Sequence, residues 1–150
     1  MSKVIFLDVD GTMIPTTMAE ASWSRRFLPE TVLLLNEICI VSGAKVVFNT
    51  THSLPLENAP DIEQAIVAQG LSPNHLHVAD LKTRYPEILD RKAAVKEWLD
   101  RHPETTEWVA LDDEPFTEES NLVLIDGRRG LEPEHFLPVV RLLGLKMEDE

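Results

Sequence analysis

Cysteine is nearly absent from this 150-residue chain, in which Cys39 is the one thiol, so no disulfide can form within it. Such cysteine usage is typical of a reducing compartment. No apolar run approaches the roughly 20 residues that a membrane-spanning helix requires. The opening Met1-Ser2-Lys3 runs directly into a predicted strand and lacks the layout of a signal peptide. We therefore expect a cytoplasmic protein with no membrane partner.

Positive charge is also scarce in the sequence. Fourteen Lys and Arg residues stand against 26 Asp and Glu, which gives a formal net charge of −12 at pH 7. This balance disfavours a broad electrostatic surface for nucleic acid, although a local basic channel is compatible with it. An acidic protein that handles phosphate therefore needs a metal ion, helix N-termini or a few well-placed cations at its site.

The sequence has no repeat, low-complexity segment or interdomain linker, so we expect one domain over residues 1–150. Apolar runs alternate with segments of helical periodicity. Strands are predicted at residues 3–9, 45–48, 75–79, 108–111 and 122–125, and helices at 31–41, 60–70, 91–101 and 134–143. This alternation predicts an α/β fold, with a mainly parallel sheet, helices on both faces and strand ends gathered at one edge.

The first predicted strand ends in the most informative motif, Asp8-Val9-Asp10-Gly11-Thr12. Four apolar residues precede it, so the two carboxylates follow a buried strand. Ligands of open α/β folds bind at that edge of the sheet. Two acids one residue apart, beside a glycine that permits a sharp turn, can hold a hard cation and leave one carboxylate free to attack.

Polar residues at the other predicted strand ends and at one helix start complete a set suited to phosphoryl transfer: Thr50, Thr51, Lys92, Asp112 and Asp113. In such a set, carboxylates hold Mg²⁺, hydroxyl and cationic groups bind phosphate oxygens, and one carboxylate is the nucleophile. Thr50 is favoured over Thr51 because it is the first hydroxyl after its strand. Arg91 and Lys96 compete with Lys92 for the role of the cation.

In the order of these motifs, the chain resembles the haloacid dehalogenase (HAD) superfamily of phosphatases and phosphotransferases. The resemblance implies a Rossmann-like HAD fold and a Mg²⁺-dependent phosphatase that works through an aspartyl phosphate. It makes Asp8 the nucleophile, and Asp10 the acid that protonates the leaving group and then activates water. It also implies that Asp8, the backbone carbonyl of Asp10, and Asp112 or Asp113 hold the metal.

The same resemblance assigns the grip on the phosphate to a threonine, Thr50 or Thr51, together with Lys92. Residues 11–28 are too few for the folded cap that many HAD proteins carry, so we expect a capless enzyme. An open site admits large phosphorylated substrates, such as nucleic-acid ends, phosphoproteins or glycan phosphates, unless a second copy of the chain covers it. Small phosphorylated molecules and nucleotides also stay open as substrates.

A looser resemblance covers the second half of the chain. The predicted strand at 108–113, Trp-Val-Ala-Leu-Asp-Asp, and the turn at 125–131, Ile-Asp-Gly-Arg-Arg-Gly-Leu, are similar to HAD domains of RNA-repair (Swiss-army-knife) proteins. This resemblance implies a phosphatase that acts on nucleotides or polynucleotide ends.

Two other functions stay open for this set of residues. One is a catalytically silent HAD-like domain that binds phosphate and Mg²⁺ without turnover. The other is a phosphoacceptor switch similar to bacterial receivers, which combine the same residue types. Receivers place the acid pair before the phosphorylated aspartate and the lysine last, whereas here Asp8 comes first and Lys92 precedes Asp112.

Overall fold

A computed structural model describes residues 2–15, 27–50, 59–118 and 120–145. Its strands are β1 (Ser2–Leu7), β2 (Lys45–Phe48), β3 (Thr105–Asp112) and β4 (Leu122–Leu124). Its helices are α1 (Pro29–Ser42), α2 (Ala59–Ala68), α3 (Arg91–Arg101) and α4 (Phe136–Leu142). Short 3₁₀ helices occur at Pro73–His75 and Pro133–His135.

The four strands form one parallel sheet in the order β2-β1-β3-β4. β1 lies between its two neighbours in the sheet, with Ile5 in register with Val46 on one side and with Val109 on the other. All of these strands therefore present their carboxyl ends at the same edge. The predicted α/β, Rossmann-like architecture is confirmed.

Helices cover both faces of the sheet because alternate residues of β1 point to opposite sides. Ile5 and Leu7 belong to the larger core cluster, which contains residues of α1, α2 and α4. Val4 and Phe6 belong to a second cluster, which contains Trp98 of α3. The rings of Phe6 and Trp98 meet edge to face, with centroids 5.4 Å apart.

The strand predicted at residues 75–79 is wrong. Ser72 and Pro73 begin a 3₁₀ helix instead, in which the Ser72 hydroxyl accepts a hydrogen bond from the backbone N–H of Asn74. Proline at the first turn and a serine cap both favour this local turn over an extended chain. Beyond it, Leu76 and Lys82 make isolated bridges to β2.

The described residues contain no second sheet that would form a separate cap, which agrees with the capless prediction. Within these same ranges, no helix is long and apolar enough to cross a bilayer. The described helices and strands therefore belong to a fold with one sheet. Its carboxyl edge is where a functional site is expected.

Candidate active site

Two buried carboxylates meet at the carboxyl edge of the central strands. Asp8 follows β1 directly and its backbone N–H donates to the carbonyl of Leu111, 3.0 Å away, in β3. Asp112 is the last residue of β3. Asp8 and Asp112 are only 2% and 1% exposed, and each offers an oxygen within 4.8 Å of the other and of Asp113. The structure thus brings together three of the predicted metal ligands.

Two glycines leave the space that the Asp113 carboxylate occupies. Gly11 has a φ of +85°, and a Cβ atom there would overlap that carboxylate. A Cβ on Gly127 would lie 3.0 Å from Asp113 Oδ2. Glycine is therefore required at position 11 for two reasons, the positive φ and the close approach of the Asp113 carboxylate.

Asp10 lies half-buried in the tight turn that follows β1. The carbonyl of Val9 accepts hydrogen bonds from the N–H groups of Thr12, Met13 and Ile14, which closes the turn. The turn is also fastened from outside, since the N–H of Leu131 donates to the Thr12 carbonyl at 2.7 Å. These hydrogen bonds fix the turn that places Asp10 two residues after Asp8 at the end of β1.

Arg91, the first residue of α3, supplies the cation of the site. Its Nη1 donates to Asp112 Oδ1 at 2.5 Å and lies 3.7 Å from Asp8 Oδ2. Its Nε lies 3.9 Å from Glu114 Oε2, and its guanidinium carbon lies 5.2 Å from the centroid of the Tyr85 ring. Arg91 is buried, so this charge acts in a medium that screens it poorly.

Lys92, the residue favoured by the sequence, does not join this group. The N-cap Asp90 accepts a hydrogen bond from the backbone N–H of Lys92 at 3.0 Å, which fixes the start of α3. The buried face of α3 carries Arg91, Ala94, Val95 and Trp98, a spacing that turns Lys92 outward to an exposed position. That spacing is the signal in the sequence that identifies Arg91.

Thr50 is the predicted hydroxyl that the structure describes at this edge. It follows β2 and is buried, next to Asn49, whose backbone N–H donates to the Leu7 carbonyl at 2.9 Å. The Asn49 side-chain oxygen accepts from the Thr83 hydroxyl at 2.7 Å, so this loop is held against the chain beyond α2. Thr51 lies outside the described residues, and the choice between the two threonines stays a prediction.

The electrostatics of the site indicate a missing positive charge. Burial, and then the charge of Asp112, raises the pKa of Asp8 well above its usual range, and Arg91 only partly opposes this effect. Burial likewise raises the pKa of Asp112. Asp8 Oδ2 is buried and has no hydrogen-bond partner among the described residues. Because buried carboxylate oxygens are normally paired, these groups fit a bound divalent cation.

The sequence comparisons agree with this geometry. Residues 4–136 match the family described as the HAD domain in Swiss Army Knife RNA repair proteins. No curated protein and no solved structure matches the chain. The matched range runs from β1 to the start of α4 and includes every site residue described above. The chain therefore belongs to the HAD-domain family of Swiss Army Knife RNA repair proteins, within a superfamily of phosphatases and related hydrolases.

Proposed function

We propose that this protein is a Mg²⁺-dependent phosphatase that hydrolyses phosphate monoesters through an aspartyl phosphate on Asp8. The observation that carries the proposal is the Asp8 carboxylate itself. It is buried at a strand end, one of its oxygens lacks a hydrogen-bond partner among the described residues, and Asp112, Asp113 and Arg91 surround it. A carboxylate held this way is poorly solvated, which makes it a better nucleophile than one in water.

The first half-reaction transfers the phosphoryl group to the protein. An Asp8 oxygen attacks phosphorus, a P–O bond forms, and the bond to the leaving oxygen breaks. Asp10, two residues further along the turn, gives its proton to that leaving oxygen. In the second half-reaction, Asp10 takes a proton from water, the water oxygen attacks phosphorus, and the Asp8–phosphorus bond breaks. Inorganic phosphate leaves and both carboxyl groups return to their starting states.

Asp8, Asp112 and Asp113, with the Asp10 backbone carbonyl, would hold the Mg²⁺ ion. Oxygen donors are the ligands that this ion prefers. When bound, it supplies positive charge that offsets the charges of the carboxylates and of the phosphate. The raised pKa values of Asp8 and Asp112 support this assignment, because they report an acidic cluster short of positive charge.

Arg91 takes the phosphate-binding role that the sequence analysis predicted for Lys92. Its guanidinium lies between Asp8 and Asp112 and has several N–H donors, so it can keep an ion pair and also bind a phosphoryl oxygen. The buried hydroxyl of Thr50 is the second group that we assign to the phosphate. Both assignments follow from the position of these residues at the same sheet edge as Asp8.

We further propose that the phosphate is carried by a nucleotide or by the end of a nucleic-acid strand. The family description, which names RNA repair proteins, supports this substrate class. A site at an open sheet edge without a separate cap among the described elements supports a large substrate. The net charge of −12 requires that any contact with the nucleic acid be local.

Comparison of Asp8→Asn with Asp100→Asn tests the mechanism. Both changes remove one carboxylate, but Asp100 is exposed on α3. With Mg²⁺ present, we expect the wild type and Asp100→Asn to hydrolyse p-nitrophenyl phosphate and 5′- or 3′-phosphorylated oligonucleotides. We expect kcat of Asp8→Asn to be at least 10³-fold lower, because removal of a catalytic nucleophile lowers kcat by at least that factor. Acid quench of the wild type should trap phosphate on the protein.

Two results would contradict the proposal. Normal turnover by Asp8→Asn would exclude the aspartyl phosphate. Wild-type protein that binds Mg²⁺ but turns over none of a panel of nucleotides, sugar phosphates and phosphorylated oligonucleotides would indicate the catalytically silent domain instead.

A further inference from the structure

A groove of about 400 Å³ lies between α3 and the chain that follows β3. Its apolar lining comes from Val95 and Leu99 of α3, Trp108 of β3 and Phe116, and Thr117 also lines it. We call this feature the α3 groove. The buried carboxylates of the active site are not among its lining residues.

Two lysines edge the α3 groove. Lys92 and Lys96 are exposed, and they are one helical turn apart on the same side of α3. Neither is among the ion pairs of the described residues, whereas Lys3 pairs with Glu107 and Arg91 pairs within the site. In a chain with a net charge of −12, two neighbouring unpaired lysines make a local positive strip.

The aromatic side chains of the groove are only partly buried. Trp108 packs one side against Phe6, with ring centroids 5.6 Å apart, and contributes to the wall of the groove. Phe116 packs against the same core cluster and lines the groove too. Partly exposed rings beside a cationic strip are the elements of a surface for single-stranded nucleic acid, where bases stack and phosphates meet lysines.

Neighbouring residues link the lining of the groove to the active site. Lys92 follows Arg91 in α3, and the backbone N–H of Phe116 donates to the carbonyl of Glu114, whose side chain reaches Arg91. Trp108 lies four residues before Asp112 in β3, or about 13 Å at about 3.3 Å per residue. A phosphoryl group on Asp8 does not reach that far, so the body of a longer substrate is what would contact Trp108.

We propose that the α3 groove binds the unpaired nucleotides adjacent to the phosphorylated end of a single-stranded nucleic acid. Lys92 and Lys96 contact backbone phosphates, and Trp108 and Phe116 offer stacking surfaces to bases. The proposal rests on the proposed function in one respect, the direction of the strand toward Asp8. It explains why Lys92 is turned away from Asp8: it serves a phosphate that is not transferred.

The test is binding of a fluorescent single-stranded RNA oligonucleotide with hydroxyl groups at both ends, in EDTA, measured by anisotropy. This probe has no terminal phosphate and needs no Mg²⁺, so its binding does not depend on the chemistry of Asp8. For Lys92→Gln/Lys96→Gln we expect at least tenfold weaker binding. The slope of log K against log salt should fall by about 1.4, because each phosphate contact on a single strand contributes about 0.7.

Lys3→Gln/Lys45→Gln is the matched control, since it removes the same charge at the amino-terminal ends of β1 and β2. It should leave the salt slope near that of the wild type. Trp108→Leu should weaken binding with the slope unchanged, and thermal melts verify that each variant is folded.

The proposal is overturned if the lysine double variant binds RNA with wild-type affinity and slope, or if the control loses as much. It is also overturned if the wild type does not bind the oligonucleotide. Should that same protein hydrolyse p-nitrophenyl phosphate, the phosphatase function would survive and a small-molecule or phosphoprotein substrate would take the place of RNA.

Discussion

The guanidinium of Arg91 donates a hydrogen bond to the Asp112 carboxylate at 2.5 Å, and the same nitrogen lies 3.7 Å from Asp8. One buried cation therefore joins the carboxyl ends of β1 and β3. Asp8, Asp112 and Arg91 are all buried, so solvent screens their charges poorly and the two carboxylates depend on Arg91 for balance. What Arg91 contributes to folding can be measured apart from what it contributes to catalysis.

We expect Arg91→Ala to lower the free energy of unfolding in EDTA by about 3–5 kcal/mol, the usual cost of leaving a buried charge without its partner. Arg91→Lys should recover part of this loss, since it keeps the charge but not the planar fork. Lys92→Ala is the control: the side chain is exposed, so the change should stay within about 0.5 kcal/mol. Urea denaturation measures all three, and equal stability of Arg91→Ala and Lys92→Ala would contradict the buried ion pair.

The contrast between Arg91 and Lys92 marks the limit of what the sequence predicts about the site. The bounds of α3 and its Asp90 cap were predictable because a capping residue and a proline delimit them. The rotation of the helix about its axis was missed, because a charged residue in a first turn resembles a solvated one. Only the spacing of Arg91 from Val95 and Trp98, both buried, reveals the inward face.

The sheet was predictable for a related reason. Buried parallel strands are continuous apolar runs, so β1, β2 and β4 were found near their true positions. The error at residues 75–79 arose where Pro73 and a serine cap set the local conformation, and where only Leu76 is buried against the sheet. Short segments of this kind are decided by turn chemistry rather than by periodicity.

Asp8 is expected to make the metal-free protein less stable as pH rises. Burial and the neighbouring Asp112 raise the pKa of Asp8 in the folded state above about 3.9, the value expected in the unfolded chain. Between those two pKa values the folded state binds more protons than the unfolded state, so the free energy of unfolding falls with pH.

Asp8→Asn removes this titration, so the variant should melt at a higher temperature than the wild type at pH 7 in EDTA. Near pH 4 the two melting temperatures should converge. Mg²⁺ should raise the melting temperature of the wild type more than that of the variant, since a ligand of the native state stabilises it. Thermal melts from pH 4 to 8 measure these effects. A wild type that melts at a higher temperature than Asp8→Asn at pH 7 without metal would contradict the unfavourable ionisation of Asp8 in the folded state.

Asp80 is expected to make the protein more stable as pH rises, which is opposite to the effect of Asp8. Burial by itself would raise the pKa of Asp80, but hydrogen bonds from His102, at 2.7 Å, and from Arg101 hold it below its usual range. A lowered pKa in the folded state contributes stability above the unfolded value, and that stability is lost as pH falls through the folded pKa. The His102 ring also stacks on Trp98, so this pair fixes the end of α3.

Asp80→Asn should therefore be less stable than the wild type at pH 7, and the difference should shrink as pH falls below about 4. Urea unfolding at pH 7, 5 and 3 measures this convergence. The exposed Asp100→Asn change on α3 is the control and should show little difference at any pH. A constant gap between Asp80→Asn and the wild type at all three pH values would mean that packing, and not ionisation, accounts for the effect.

Gly11 and Gly43 offer a matched pair for separating backbone strain from the close approach at the active site. Both have positive φ, +85° and +75°, so alanine at either position strains the backbone by about 1 kcal/mol or more. A Cβ at Gly43 meets nothing within 4 Å, whereas a Cβ at Gly11 would overlap the Asp113 carboxylate.

Gly43→Ala should therefore lose stability but keep wild-type affinity for Mg²⁺, because Gly43 precedes β2 at the edge of the sheet opposite the carboxylates and a Cβ there has room. Gly11→Ala should lose stability and also displace Asp113 from Asp8 and Asp112, which weakens Mg²⁺ binding and phosphatase turnover together. Calorimetric titration with Mg²⁺ and urea unfolding of both variants measure the two effects separately. If Gly11→Ala binds Mg²⁺ as tightly as Gly43→Ala does, Asp113 is not a ligand, and the metal is held by Asp8 and Asp112 without it.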